Sequence, residues 1–328
     1  MFVKRKFIYA LIVISILLII SNILLEVTSP KEEKIIPEVS LNEIELKFST
    51  TLNSYGILSD WIKKVYVKNK LSDSLDFLFN VTLPRDVSIP ILIKDLNNLF
   101  DSENIEIETI ERKNNSNTQI KIYSNKKLKL QSNLKHSKKI IREHAEYSFL
   151  VLFNFNNEVS SWEEIEHIYY QFTYLITPSK KAFEGKKKFS GKYALLINDQ
   201  LSGTEYALDE DYSKQKLTNR IRSIVISFGN NITYLIDETS AIFNSKIYSL
   251  LRDEFNKRGI SLISLQRYSK LKGNTDHELV SLFQFYTTSL KGKEGKTFVV
   301  NMNDFLKLQT PIAKQIKMGD KVVEVSFD

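Results

Sequence analysis

The sequence predicts an α/β protein in which a mainly parallel sheet or barrel, covered by helices, follows a small α+β domain and an N-terminal transmembrane helix. Three observations lead to this prediction. An uncharged apolar segment lies near the N-terminus, a mixed helix and hairpin pattern extends to about residue 140, and short apolar strands then alternate with helices. Such alternation is typical of parallel sheets, because crossover helices cover the faces of the strands.

The N-terminal segment predicts a single-pass membrane anchor. Residues 7–25 carry no charge, and at about 1.5 Å per residue they just span a hydrocarbon core of about 30 Å. Lys4, Arg5 and Lys6 come directly before them, so the positive-inside rule places the N-terminus in the cytoplasm and the later residues outside it. The alternative is a cleaved signal peptide, but the segment is longer than a usual signal core and no A-x-A-like site follows.

These patterns divide the chain into four parts. They are a cytoplasmic tail and transmembrane anchor (1–25), a proline-containing stalk (26–45), a small α+β domain (46–140) and a β/α domain (145–328). In the α+β domain, the helical spacing of apolar residues predicts a helix over 55–69. An Asn-rich turn between two alternating segments predicts a hairpin over 105–123.

Polar residues follow several strand candidates of the β/α domain. The strand candidates are 147–155, 172–176, 193–197, 232–236, 261–265 and 297–300. Ligands of such folds bind beyond the carboxyl ends of the strands. The candidate binding cleft therefore consists of Asn154, Asn156, Asn198, Asp199, Asp237 and Glu238.

Composition excludes several classes of chemistry. The chain has no Cys, four His and ten Gly. The lack of Cys rules out disulfides, a thiol nucleophile, an Fe–S cluster and Cys-based zinc sites, and no GxGxxG, GxxxxGK[ST] or GxSxG motif is present. The net charge of +7 is spread along the chain and not concentrated in a basic patch, so we expect no nucleic-acid partner.

The order of the strand and helix segments resembles a known family. The segments are YSFLVLFNFNN at 147–157, FTYLITPS at 172–179, YALLIND at 193–199, TYLIDETS at 233–240 and LLRDEFNKRGISLISL at 250–265. In their order and in their pattern of hydrophobic residues, these segments resemble the divergent polysaccharide deacetylases, a branch of the carbohydrate esterases. This resemblance implies a distorted β/α barrel of deacetylase type and a divalent metal. It also implies two aspartates after the first strand and a histidine after each of the third and fourth.

The chain departs from the family at these positions. Phe153 and Asn154 stand where the resemblance expects the aspartates, and Ile197 and Asp237 stand where it expects the histidines. The actual histidines lie elsewhere, at His136, His144, His167 and His277. We therefore expect a degenerate site without a metal cofactor.

Acidic residues leave one alternative for the site. Asp199 and Asp237 are candidates for a catalytic role, and with Glu238 they could form an oxygen-ligand site for a hard cation, which Asp209 could also join. A divalent metal is expected only if this acidic site is real. The other interpretation is that Asp199 and Asp237 are loop and cap residues that follow strands.

Three functional hypotheses follow. The first is a membrane-anchored, extracytoplasmic, deacetylase-like protein that has lost metal-dependent activity and binds a glycan or a protein partner of the cell envelope. The second is an active hydrolase or deacetylase with a rearranged acidic metal site. The third is a bitopic scaffold protein of an envelope assembly, for which an open sheet or ferredoxin-like domains after residue 145 would be expected.

Overall fold

A computed structural model describes residues 13–22, 38–66, 75, 77–101, 104–112, 117–155, 165, 167–188 and 191–327. Residues 13–22 are helical, and the apolar side chains from Val13 to Ile20 are exposed. No helix within these described ranges is both long and apolar enough to cross a membrane. Residues 7–12 and 23–25 of the predicted anchor lie outside the described residues, so the anchor stays a prediction.

The first domain is a five-stranded sheet with helices on one face. Its elements are α1 (Leu41–Ser54), β1 (Ile62–Tyr66), β2 (Phe77–Pro84), α2 (Ile89–Phe100), β3 (Ile105–Arg112), β4 (Asn117–Ser124) and β5 (Lys127–Ser137). The strand order is β1-β2-β5-β4-β3, with β2 and β5 parallel and the other pairs antiparallel. The predicted hairpin over 105–123 is confirmed as β3 and β4.

One prediction at the start of this domain is wrong, because the described part of the predicted helix over 55–69 contains a 3-10 turn and β1. Residues 41–45 of the predicted stalk belong to α1, and residues 26–37 of the stalk lie outside the described residues. Helix α1 begins where the Ser40 hydroxyl accepts a hydrogen bond from the Glu43 amide at 3.2 Å. It buries Ile44, Phe48 and Leu52, which recur every four residues along one face. Residues after Gly56 extend because they pair with β2, a contact that local helical spacing cannot reveal.

The second domain consists of parallel strands joined by helices. Its elements are β6 (Glu146–Phe153), β7 (Thr173–Ile176), α3 (Lys180–Lys188), β8 (Lys192–Ile197), α4 (Lys214–Phe228), β9 (Thr233–Ile236), α5 (Tyr248–Asn256), β10 (Leu262–Ser264), β11 (Ser269–Lys270), α6 (Asp276–Leu290), β12 (Lys296–Asn301), α7 (Met302–Lys307), α8 (Gln309–Met318) and β13 (Lys321–Val322). The six strand candidates are confirmed, although β11 and β13 were not among them.

The strand order is that of a β/α barrel opened at one place. It runs β10-β9-β8-β7-β6-β12-β11, with every pair parallel. From β6 to β12, strands that follow one another in sequence are neighbours, except that β10 and β11 form the two ends. Strands β6 and β12 pair with each other on the opposite side of the sheet, and the two-residue strand β13 pairs with the start of β6. This order supports the predicted barrel and not the open sheet expected of the scaffold hypothesis.

Alternate residues of the strands divide the core into two layers. Leu150, Leu175, Leu196 and Leu235 form an inner cluster with Val299, whereas the residues next to them in sequence pack beneath the helices. Residues after β13 cross the inner side, where Val325 joins the inner cluster and Phe327 packs against Tyr268. The inner side of the barrel is therefore filled by side chains, as in other small β/α barrels.

The helices begin and end where the sequence indicates. Helix α4 begins after Ser213, whose hydroxyl accepts a hydrogen bond from the Lys216 amide, and it ends at Gly229 with a φ of 92°. The last predicted helix, over 303–317, is divided in two at Leu308, three residues before Pro311. A proline lacks the amide donor of a helix interior, so a break near it is expected.

Candidate functional site

The site lies where β6, β7, β8 and β9 end. Phe153 is paired with Ile176, and Ile197 with Ile236, so the residues that follow these four positions share one edge of the sheet. All four residues are buried and apolar. The polar residues directly after them form the mouth of the barrel, which is where ligands bind in this class of fold.

A pocket of about 250 Å³ opens at the ends of β6 and β7. Its polar lining consists of Asn154, Thr177, Ser179, Gln200 and Thr204. Its apolar lining consists of Phe153, Phe155 and Ala182. A pocket with an apolar base and a few amide and hydroxyl groups is suited to a small, uncharged polar ligand.

The aromatic base of the pocket depends on a glycine. The rings of Phe153 and Phe155 meet edge to face, with their centroids 4.7 Å apart. Gly185 of α3 lies against Phe155, and a Cβ atom at this position would be 2.0 Å from Cε1 of that ring. The close approach of α3 to the strand ends therefore requires a residue without a side chain at position 185.

Hydroxyl and amide groups at the ends of β7 and β8 form a small network. The Thr177 hydroxyl lies 3.3 Å from Asn198 Oδ1 and 3.2 Å from Gln200 Oε1, and it can donate to one of them at a time. The same Asn198 oxygen accepts a hydrogen bond from the Gln200 amide at 3.2 Å, which caps the 3-10 turn that follows β8. Asn198 is thus part of the scaffold of the mouth, and Thr177 and Gln200 also line the pocket.

Asp199 holds a neighbouring loop. Its Oδ2 accepts a hydrogen bond from the Ala241 amide at 3.0 Å, and its Oδ1 accepts one from the Ile242 amide at 3.2 Å. Both carboxylate oxygens therefore fix the loop after β9. This geometry agrees with the cap interpretation of Asp199.

Asp237 caps the turn that follows its own strand. Its Oδ1 accepts hydrogen bonds from the Thr239 amide at 3.0 Å, the Thr239 hydroxyl at 2.7 Å and Gln266 Nε2 at 2.7 Å. Burial works against ionisation, but these bonds outweigh it and hold the pKa of Asp237 below its ordinary value. The amide of Glu238 donates to Gln266 Oε1 at 3.1 Å, so Gln266 joins the end of β10 to this turn.

The residues present do not fit the divalent metal that the family resemblance implies. Ile197 and Phe153 are buried hydrocarbon side chains that offer no ligand atom. Asp199 and Asp237 already accept two and three hydrogen bonds respectively. Within the part of the chain that the structure describes, no three His, Asp or Glu side chains converge as ligands. These carboxylates hold loops and do not replace the ligands that are missing at Phe153 and Ile197, so we derive no reaction through a metal.

The predicted site residues fall into three groups. Asn154 lines the pocket, while Asn198, Asp199 and Asp237 support the loops around it. The amide of Glu238 belongs to the Asp237 turn, and Asn156 lies outside the described residues. The histidines lie away from the mouth where their contacts are known. His136 Nε2 is 2.8 Å from the Val87 carbonyl, and His144 Nε2 is 3.3 Å from Glu146 Oε1.

Sequence reasoning missed Gln200, Thr204, Phe155 and Gln266 as parts of the mouth. Gln200 follows the Asn198–Asp199 pair directly, so the strand-end rule could have included it. Gln266 lies 29 residues after its partner Asp237, and no local pattern indicates their contact.

Comparisons with known proteins give matches among solved structures. No family model matches the sequence, and no curated protein matches it. A CE4 esterase of Streptococcus mutans is 7% identical, with a TM-score of 0.36 over 56% of this chain and 87% of that one. The catalytic domain of a peptidoglycan N-acetylglucosamine deacetylase of Eubacterium rectale is 11% identical, with a TM-score of 0.35 over 57% and 91%.

A third structure is the uncharacterized protein ATU2773 of Agrobacterium tumefaciens, at 10% identity and a TM-score of 0.36 over 56% of this chain and 88% of that one. The structures similar to part of this chain thus include an esterase and the catalytic domain of a deacetylase.

Proposed function

We propose that this chain is a membrane-anchored, extracytoplasmic, deacetylase-like protein that binds a glycan or protein partner of the cell envelope and does not remove acetyl groups by metal-dependent chemistry. The observation that carries the proposal is the use of Asp199 and Asp237 as caps. Both acidic candidates at the mouth hold backbone amides of the loop after β9.

The chemistry of deacetylation supports the loss of activity. A metal-dependent deacetylase needs a Lewis acid that polarises the acetyl carbonyl and activates water, and a carboxylate base within hydrogen-bond reach. Asn154 is a neutral amide and cannot serve as an anionic base. Ile197 has no atom that binds a metal. The alternative of a rearranged acidic site would have to use Asp199 and Asp237, two carboxylates that also hold the loop after β9.

The pocket supports retained binding. Three hydroxyl groups, on Thr177, Ser179 and Thr204, and an amide from Gln200 surround an aromatic base. Hydroxyl and amide groups of a sugar can exchange hydrogen bonds with such a lining, while the apolar face of the ring lies on Phe153 and Phe155. No ionised side chain lines this pocket among the described residues, so an uncharged part of the ligand is expected there.

The enzymatic test uses the purified full chain in detergent with an N-acetylglucosamine hexasaccharide and added Zn²⁺ or Co²⁺. We expect binding of the hexasaccharide without release of acetate. Gln200→Ala and Thr177→Val should weaken binding several-fold, and Gln131→Thr, in the other domain, serves as the control. Metal-dependent acetate release that Asp199→Ala or Asp237→Ala abolishes would establish the alternative acidic site.

The topology can be tested because the chain contains no cysteine. A single cysteine at Lys63, which is exposed on β1, should react with a membrane-impermeant maleimide in intact cells. A cysteine at Lys4 should react only after the membrane is permeabilised. Equal labelling at both positions would contradict the proposed anchor.

A further inference from the structure

The open face of the first domain carries a row of amide side chains. The other face packs on the helices through Phe79, Val81 and Leu134. Asn80 of β2 is paired with Asn133 of β5, which is paired with Gln119 of β4. Side chains of paired residues point to the same side of a sheet, so the three amides stand side by side on the open face.

Hydrogen bonds fix the orientation of this amide row. Gln119 Nε2 donates to Asn133 Oδ1 at 3.4 Å, and Asn133 Nδ2 donates to Asn80 Oδ1 at 3.0 Å. The row therefore presents amide N–H groups at its Asn80 end and a carbonyl oxygen at its Gln119 end. A polar ligand laid across the row meets donors at one end and an acceptor at the other.

A pocket of about 220 Å³ lies over the amide row. Thr82, Asn117 and Lys135 complete its polar lining. The Oδ1 atom of Asn117 is shielded from water and has no hydrogen-bond partner among the residues that the structure describes. A buried acceptor without a donor is costly, and the Asn117 side chain would have to rotate before a hydroxyl group in the pocket could reach this oxygen. No carboxylate and no aromatic side chain lines this pocket among the described residues.

We propose that this amide-lined pocket is a second binding site, for a neutral oligosaccharide. Sugar hydroxyls and acetamido groups both donate and accept hydrogen bonds, as do the amides of Asn80, Gln119 and Asn133. Single-stranded nucleic acids are held by aromatic stacking and several cations, whereas this pocket offers one cation, Lys135, and no aromatic side chain. The lack of a carboxylate likewise disfavours a basic peptide. The site is in the first domain and is separate from the pocket at the barrel mouth.

Strand propensity separates a ligand-binding role from a structural one. Asn is depleted in strands, and Thr is favoured there. If the amides only stabilised the sheet surface, replacement by Thr would matter little. Asn80→Thr and Asn133→Thr should therefore keep or raise the unfolding midpoint and lose binding of the oligosaccharide.

The experiment measures binding of an N-acetylglucosamine hexasaccharide to the full chain by calorimetry, with Gln200→Ala present to weaken the mouth pocket. In this background Asn133→Thr and Asn80→Thr should each weaken binding at least tenfold. The matched control is Gln131→Thr, on the same strand and face but outside the pocket, and it should change affinity less than twofold. Asn80 is exposed, so its replacement keeps the test valid if Asn133→Thr fails to fold.

Two results would overturn the proposal. One is equal affinity of Asn133→Thr, Asn80→Thr and Gln131→Thr for the hexasaccharide. The other is binding of a single-stranded oligonucleotide or a basic peptide, but not of the hexasaccharide, that the two Asn variants abolish. The same measurements show separately whether the mouth pocket binds the hexasaccharide. If it does not, Gln200→Ala alone will leave both the affinity for the hexasaccharide and the number of bound molecules unchanged.

Discussion

The guanidinium of Arg142 lies against the carboxylate of Asp86, with Nε 3.0 Å and Nη2 2.5 Å from Oδ2. Nη1 of the same side chain donates to the backbone carbonyls of Tyr55 at 2.6 Å and Lys317 at 2.9 Å. Arg142 is only 8% exposed. Since Asp86 and Tyr55 belong to the first domain and Lys317 to α8, one buried side chain ties the two domains together.

Replacement of Arg142 by Ala should destabilise the protein by about 2–3 kcal/mol, because two backbone carbonyls lose their charged donor and a cavity remains. The free energy of unfolding in urea measures this effect. Arg252→Ala is the matched control, since Arg252 is exposed and its ion pair with Asp253 is long, at 3.8 Å. We expect less than about 0.5 kcal/mol there. An Arg142→Ala variant as stable as Arg252→Ala would show that the contact does not hold the domains.

The second link between the domains is the Lys317 ammonium, 2.5 Å from Asp95 Oδ2, which also accepts a hydrogen bond from the Tyr55 hydroxyl at 2.8 Å. Burial works against ionisation of Asp95, but the bonds from Lys317 and Tyr55 outweigh it and hold the pKa of Asp95 below its ordinary value. Its contribution to stability is therefore present above the unfolded pKa and is lost as the pH falls through the folded pKa.

Gly185→Ala should weaken the mouth pocket. The added Cβ would lie 2.0 Å from the Phe155 ring, so α3 or the ring must shift, at about 1–3 kcal/mol. Hexasaccharide affinity at the mouth should fall together with the unfolding free energy. The double variant Gly185→Ala/Phe155→Leu is the control, because a smaller side chain accommodates the methyl group. Additive effects of the two substitutions would contradict direct contact as the cause.

The barrel was predictable because its strands can be recognised from their local sequence alone. Fully buried parallel strands appear as continuous apolar runs, as in β6 and β8, and helix ends are marked by residues such as Ser213 and Gly229. The start of the first domain was not predictable in this way. Residues 55–69 also have helical spacing, but residues 62–66 are extended because they pair with β2.

The types of residue at the barrel mouth were predictable, but not their roles. The strand-end rule identifies Asp199 and Asp237 as polar groups at the mouth. Their use as caps depends on partners distant in sequence, because Asp199 holds Ala241 and Ile242, and Asp237 contacts Gln266. The amide row on the first domain likewise joins three strands whose register appears only in the folded sheet.

Asp199→Ala should destabilise the loop after β9 and leave metal affinity unchanged. Two backbone amides lose their acceptor, and the loss of a comparable helix cap is worth about 0.5–2 kcal/mol. Asp199→Asn keeps one acceptor oxygen and should lose about half as much. Urea unfolding measures stability, and calorimetry with Zn²⁺ or Co²⁺ measures metal binding. Micromolar metal affinity that disappears in Asp199→Asn would identify Asp199 as a ligand and contradict its role as a cap.

Asp320 should make the protein less stable as the pH rises. Its Oδ1 accepts a hydrogen bond from the Ala145 amide at 2.9 Å, but its buried Oδ2 has no hydrogen-bond partner within the described part of the chain. Burial outweighs the Ala145 bond and the nearby Lys291, His144 and Arg142, and raises the pKa of Asp320. The native state then holds the proton more tightly than the unfolded state, whose pKa is about 3.9. Stability is lost between that pH and the raised native pKa, at about 1.4 kcal/mol for each unit between them.

Asp320→Asn tests this sign directly, because the amide keeps the acceptor for Ala145 and cannot ionise. The difference in unfolding free energy, variant minus wild type, should increase from pH 4 to pH 7. Asp95→Asn is the contrasting control: the pKa of Asp95 is lowered, so the same difference should be nearly constant from pH 4 to pH 7 and should become less negative only as the pH falls below about 3.9. A difference for Asp320→Asn that is flat or falls with pH would mean that Asp320 remains ionised at little cost in the folded protein. Its unpartnered oxygen would then have to be stabilised by a group other than the Ala145 amide.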